Sequence, residues 1–316
     1  MPNPTVKPDR APVPQATPIL SFSPVTFRVE GREAPLEMRV VIPAVGKNLP
    51  VLLLSHGHGA SNFIASMRGY GPLVDFYAAH GFVVIIPTHL NSKTLGLDPA
   101  GPEGPLRWMS RAKDLSFIID HLDEIETAVP TLAGRIDKEN IVAVGHSLGG
   151  HTVAMLAGMR VNDPDKGVVD LREPRIKTTV LISPPGDGAD ATPQLAERFP
   201  ALVNSDFGTM TTPSLVITGS EDVNTDFSER KDWRADAYRL APSPKSLLFL
   251  NGAGHLFGGI SGYDAAETSD ENPDRVVTVQ RVTWAYLWSA LYPHDSAWPA
   301  VKAQFETDAG GRIESK

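Results

Sequence analysis

No cysteine occurs anywhere in the 316 residues of the chain. Disulfides, thiol nucleophiles and thiolate-bound metals are thereby excluded, and either redox compartment is tolerated. Long apolar runs are missing as well. The longest, residues 51–54 and 82–86, have the length of strands, far below the roughly 18 residues of a membrane span. The first residues show no basic stretch followed by an apolar one, so no signal peptide is read from them and a cytoplasmic location is expected. A processed secreted form is the alternative. Every Asn-x-Ser/Thr triplet carries an intervening proline, so no glycosylation acceptor is present. There is no basic excess: 29 Lys and Arg stand against 37 Asp and Glu, a net charge of -8. That balance points away from nucleic acid and anionic membranes as partners. Aromatic residues are few, at 7%, but the 41% of hydrophobic residues suffice for a large core,.

What is present reads as one α/β domain. Residues 1–24 hold seven prolines and little periodicity, so residues 1–26 are expected to be an extended N-terminal segment. Stretches that read as strands follow at 37–43, 51–55, 82–87, 140–144, 178–183, 214–218 and 246–250, most of them apolar through their middle. Between several of them lie helical patterns: 72–80, opened by Pro72 and closed by Gly81; 115–125, with Leu115, Ile118, Ile119, Leu122 and Ile125 on one face; the Ala-rich stretch to 159; 233–240; and 273–291,. Buried strands alternating with helices predict a mostly parallel sheet covered on both faces. Residues 27–300 are read as a single catalytic domain without internal repeats, and 301–316 as a C-terminal tail. Between 183 and 213 only one helix is suggested, near 194–203, so no large cap domain is expected. The Gly- and Pro-rich stretch 88–106 reads as an irregular loop and a candidate flap.

The sharpest chemical signal is residues 145–149, GHSLG. It fits G-x-S-x-G between a strand and a helix. A serine at so tight a turn is lifted clear of the sheet. The helix behind it aims its N-terminus, the positive end of its dipole, at the same place. A glycine-rich turn with a merely capping serine is the plainer reading. Serine needs a base, and among nine histidines His255 stands out, because it follows the 246–250 strand and so lies at the carboxyl edge of the sheet, as Ser147 does,. His80 and His121 fall in helical patterns, and His146 and His151 flank the nucleophile. His89 follows a strand but precedes Ser147.

The base in turn needs an acid to hold its tautomer. Asp222, just after the 214–218 strand, is the first choice, Glu221 the second and Asp187 the third. Two backbone donors are needed for an oxyanion. The amide of Leu148 directly follows the nucleophile, and the loop of residues 55–60 (SHGHGA) offers the amide of His58. His56 and His58 stand two apart with no carboxylate near in sequence, so no metal is expected there, and no cofactor elsewhere,. Phe63, Trp108, Trp233 and Phe257 flank these loops and are candidates for a substrate pocket. Arg111 and Asp114 read as a surface ion pair. The acidic residues Asp264, Glu267, Asp270, Glu271 and Asp274 read as a solvated loop leading into a helix cap, since calcium-loop spacing is missing.

The loop at 55–60, the GHSLGG elbow at 145–150 and the GAGHLFG tract at 252–258 resemble those of α/β-hydrolase-fold serine esterases. Within that fold they resemble the branch of platelet-activating-factor acetylhydrolases, chlorophyllases and dienelactone-hydrolase-like esterases. The resemblance covers roughly residues 27–295. It implies hydrolysis of a small-molecule or lipid-like ester through an acyl-enzyme, and the chain order Ser147, Asp222, His255 is the one this fold imposes. The cysteine nucleophile of dienelactone hydrolases is absent. An amidase or a phospholipase-type acyl hydrolase is the alternative within the same chemistry, and a binding protein without catalysis is the alternative outside it.

Overall fold

A computed structural model describes residues 13–59, 61–101, 103–262, 267–307 and 309–316. The chain begins there with β1 (Ile19–Phe27), β2 (Leu36–Pro43) and β3 (Leu49–Ser55), followed by α1 (Gly71–Ala79) and β4 (Val83–Pro87). Two helices, α2 (Trp108–Asp120) and α3 (Leu122–Ala128), lead to β5 (Ile136–His146) and α4 (Leu148–Leu156). Next come β6 (Arg160–Asp163), β7 (Gly167–Val169), β8 (Ile176–Ile182), α5 (Pro193–Arg198), α6 (Pro200–Val203) and β9 (Ser205–Asp206). The chain ends with β10 (Ser214–Gly219), α7 (Asp236–Leu240), β11 (Lys245–Leu250), α8 (Pro273–Leu291), α9 (Ala297–Phe305) and β12 (Gly311–Ser315).

Among the described residues one sheet runs in the order β1-β2-β4-β3-β5-β8-β10-β11-β12. The six strands β4, β3, β5, β8, β10 and β11 pair in parallel. β1 and β2 at one edge, and β12 at the other, are antiparallel. The central strands are buried on both faces because each face carries its own helix layer. Val51, Leu53, Val83 and Ile85 pack with α2, α3 and α4, whereas Leu52, Leu54, Val84 and Ile86 pack with α1 and α8. That two-sided burial is why β3 reads as an unbroken apolar run and not an alternating one. Each such side chain contributes roughly 1.5–3 kcal/mol. No helix among the described residues is long and apolar enough to cross a membrane.

Three expectations are corrected. Residues 19–26, expected to be part of a loose extended segment, form most of β1, which pairs along β2. Pro24, the one proline there, does not prevent it, because an edge strand tolerates a missing N–H,. The 301–316 segment is no tail: the rest of α9 packs Val301 and Phe305 into the core, and β12 pairs with β11. The helix expected over 115–125 starts seven residues earlier and is split at His121, where the backbone leaves the helical region at φ -116° and ψ 26°.

Candidate active site

Ser147 lies between β5 and α4 with φ +54° and ψ -119°, outside the regions open to an ordinary L-residue. Such strain persists only where the surroundings over-determine it, and it gathers at functional sites. Here the surroundings are glycines. A Cβ on Gly145 would fall 2.0 Å from the Gly149 carbonyl oxygen, and one on Gly149 would fall 2.0 Å from the carbonyl oxygen of Ser55. The motif therefore records how closely three backbone segments approach. The Ser147 amide is anchored on the Ile182 carbonyl at 2.8 Å. Its side chain makes no cap bond to α4, so the plainer reading of a capping serine fails. Leu148 is the first residue of α4, where backbone amides have no partner within the helix.

His255 lies in the loop after β11, at the carboxyl edge of the sheet as expected. Its Nδ1 is 2.9 Å from Asp222 Oδ1, and Asp222 follows β10 at the same edge. Asp222 is buried, whereas Glu221 is exposed and its carboxylate accepts from the neighbouring Ser220 Oγ at 3.0 Å. Asp187 serves elsewhere, its carboxylate accepting from Ala189 N at the start of a short helical turn. Two partners of Asp222 were not foreseen. Arg234 Nε donates to Asp222 Oδ1 at 2.9 Å while its Nη1 donates to the Ser183 carbonyl at 3.0 Å. The Ser183 hydroxyl donates to Asp222 Oδ2 and lies 2.9 Å from His255 Nδ1. Burial opposes ionisation of Asp222, but Arg234, His255 and Ser183 outweigh it and hold the carboxyl well below the usual range. A cation following a predicted pocket tryptophan was the only sequence signal for Arg234, and Ser183 gave none.

The loop after β11 is tied down on two sides. Gly254 N donates to Asp270 Oδ2 at 3.0 Å, and Arg275 Nη1 holds that same oxygen at 2.6 Å. Asp270 is thus a structural anchor and not a solvated loop acid; Asp264 lies outside the described residues. On the other side, His146 Nε2 donates to the His255 carbonyl at 2.9 Å. With that nitrogen protonated, His146 Nδ1 accepts from the Tyr70 hydroxyl at 2.7 Å, which accepts from Gly57 N at 3.0 Å. A chain of hydrogen bonds so joins the loop after β3 to the loop of the candidate base.

Ser147, Leu148, Asp222, His255 and His58 line one cavity of about 450 Å3. Its apolar wall includes Leu106, Phe199, Leu202, Val223 and Phe227, with Phe199 and Leu202 brought over the site by the short helices α5 and α6. None of the four aromatic candidates lines it. Trp233 is buried with its indole N–H on the Asp187 carbonyl at 2.7 Å. Phe257 is fully buried in the core on the α8 side. Trp108 faces a neighbouring cavity beside Glu103, and Phe63 is half-buried away from the pocket. Flanking a site loop in sequence did not aim these rings at the site; Trp233 and Phe257 turn into the core, where large rings bury most area,. Leu106, from the 88–106 loop, lines the cavity wall.

The expected surface pair of Arg111 and Asp114 is also corrected. Both are buried and they do not bond each other. Asp114 accepts from Arg32 Nε at 2.9 Å and from His89 Nδ1 at 2.9 Å. His56 does not turn toward His58: its Nδ1 bonds the Gly57 carbonyl at 2.7 Å and its Nε2 accepts from His89 N at 3.1 Å.

A family model described as the Alpha/beta hydrolase family matches residues 51–307. The chain belongs to the alpha/beta hydrolase family. A search of curated proteins returned no match. Family membership, together with the sheet order and the elbow, makes this α/β-hydrolase chain a hydrolase by descent.

Four buried histidines of this hydrolase give a prediction. Burial holds His56 and His89 well below their usual pKa, lowers His146 to about 3 and lowers His151 to about 4. In the unfolded chain each would take a proton near 6.5. Below that pH the unfolded state binds more protons than the native one, so stability falls as pH falls, at about 1.4 kcal/mol per pH unit for each group. Asp114 works the other way: burial pushes it up to about 6 against the pull of Arg32 and Arg111, so the native state takes its proton first and offsets one histidine. The urea midpoint is expected to hold above pH 7 and to drop steeply between about pH 6 and 4. A midpoint unchanged across that window would mean that these rings are not buried neutral.

Proposed function

We propose that this hydrolase cleaves carboxylic esters through an acyl-enzyme formed on Ser147, with His255 as base and Asp222 as its orienting acid. The observation that carries the reading is the pairing of a strained, non-capping Ser147 with His255 in one cavity, the imidazole already held through Nδ1 by a buried carboxylate. With Nδ1 protonated toward Asp222, Nε2 is free to take the serine proton. Ser147 Oγ attacks the ester carbonyl and its proton passes to His255 Nε2. The resulting oxyanion is received by the amides of Leu148 and His58. Collapse expels the alcohol, which leaves with that proton. Water, deprotonated by the same imidazole, then releases the acid.

A cavity of about 450 Å3 with a mostly apolar wall suits a small or lipid-like acyl ester. That fits the resemblance of the 55–60 and 252–258 tracts to the acetylhydrolase and chlorophyllase branch. The test is a panel of p-nitrophenyl esters from acetate to decanoate, together with matched anilides and a phospholipid. Burst release and turnover of esters, with a fluorophosphonate adduct mapped to Ser147, are expected. Preferred turnover of the anilide or the phospholipid would shift the substrate class. An adduct on another serine would overturn the assignment.

A further inference from the structure

Arg111 is a fully buried cation on α2 whose guanidinium fork reaches three places at once. Nε donates to Thr152 Oγ1 at 2.8 Å, and that hydroxyl donates to the Leu148 carbonyl at 3.0 Å within α4. Nη1 donates to Asn91 Oδ1 at 2.6 Å, and the amide of Asn91 lies 3.2 Å from His58 Nδ1. Nη2 donates to the His56 carbonyl and to Ser55 Oγ, the latter at 3.1 Å. Thr152 belongs to the nucleophile helix. Ser55, His56 and His58 belong to the end of β3 and the loop after it. The fork therefore spans the two backbone segments that would supply the two oxyanion amides.

The cation is itself held from behind. Ser55 Oγ accepts from Arg111 and so directs its own proton to His89 Nε2, 3.0 Å away. His89 Nδ1 donates to Asp114 Oδ2, and Arg32 closes the chain on the other side of that carboxylate. Ser55, His89 and Asp114 repeat the donor order of a serine triad, yet Ser55 and His89 have no exposed surface and Asp114 almost none. No substrate carbonyl reaches Ser55 there, so this array does not act as a nucleophile. What it provides is a fixed acceptor and a balancing negative charge for Arg111.

We infer that Arg111 is a positioning residue that locks the His58 and Leu148 amides into one oxyanion hole and places a buried positive charge behind them. The inference rests on the proposed function, since it presumes an oxyanion at that place. The guanidinium is the one common chemical shape here that can donate in three directions from a plane. Its field reaches the site: after desolvation, Arg111 is the largest influence lowering the pKa of the His58 ring. A preorganised donor pair loses its advantage when either half is free to drift, and removing one such donor typically costs 10²–10³ in turnover.

The test compares wild type, Ser147→Ala, Arg111→Gln and Arg111→Lys on one p-nitrophenyl ester, with a trifluoromethyl ketone as transition-state analogue and a non-hydrolysable amide as ground-state ligand. Arg111→Gln is expected to lower kcat about 100-fold with KM within threefold, and to weaken the ketone in proportion while sparing the amide. Arg111→Lys, which keeps charge without the fork, is expected to recover only part. A purely structural role would lower the unfolding temperature and leave kcat of the folded fraction intact; that result, or equal weakening of both ligands, overturns the inference. Should Arg111→Gln fail to fold, Asn91→Ala and Thr152→Val each remove one tie, and normal kcat in both overturns it. Retained turnover in Ser147→Ala would instead mean that the site itself is misread, so the two failures are distinguishable.

Discussion

Ser147→Ala is expected to lower ester turnover by about five to six orders of magnitude while the protein stays folded. In triads whose members act as a unit, loss of the nucleophile costs about as much as loss of the whole set. The remaining rate over water then comes from binding and the oxyanion donors alone. The fold should survive, because the Ser147 hydroxyl does not cap α4 and the elbow is held by the backbone bond to Ile182 and by the glycine contacts. Alanine must still adopt φ +54°, a strain that serine already bears. Steady-state kinetics at saturating ester, with circular dichroism and mass spectrometry of the fluorophosphonate-treated protein, measure the outcome. Wild-type-like turnover in a folded variant would end the nucleophile assignment.

Asp222→Asn is expected to lower turnover by about four orders of magnitude, by analogy with triad behaviour. The amide can present its N–H to His255 Nδ1 and select the tautomer in which Nε2 carries the proton and cannot accept another. A second loss follows from the surroundings. Arg234 and Asp222 are both almost fully buried, at 5% and 2% side-chain exposure. Removing the carboxylate charge leaves a buried cation unbalanced, which costs about 3–5 kcal/mol in comparable cases. The variant should therefore also melt earlier, so turnover must be read on the folded fraction. Glu221→Gln is expected to change turnover several-fold at most: Glu221 also lines the cavity, but it is exposed and its carboxylate accepts from Ser220 Oγ and not from His255. The reverse ranking would transfer the role to Glu221.

The mostly parallel sheet, the strand-to-helix elbow and the placing of Asp222 and His255 at one edge of that sheet were legible from residues alone, but the spatial order of the strands was not. Each legible feature rests on a local rule. A strand buried on both faces must be apolar throughout, and the turn between strand and helix must carry glycines where backbones meet. Loops that follow parallel strands must gather at one edge. Period-based reading failed where pairing, and not burial, makes the element: the strands of residues 19–27 and 311–315 are half-exposed edges that carry little apolar signal. It failed again at the pocket wall, where Phe199 and Leu202 arrive from a segment that had suggested only one helix.

The sequence by itself determined which chemistry the chain can carry: no thiol, a serine at a strained turn, a histidine and an aspartate at the right edge of a parallel sheet. Those follow from side-chain identity and from the direction of strands, which neighbours in sequence decide. Only the tertiary structure decided that Arg111 is no surface cation but a buried tie between the β3 loop and α4, and that Arg234 and Ser183 stand behind Asp222. The reason is physical. Such charges are stable in a core only when partners from distant segments meet them, Asn91 and Thr152 for one, Ser183 and Asp222 for the other. The two ends of each bond stand 12 to 51 residues apart in the chain, farther than neighbours in sequence can specify.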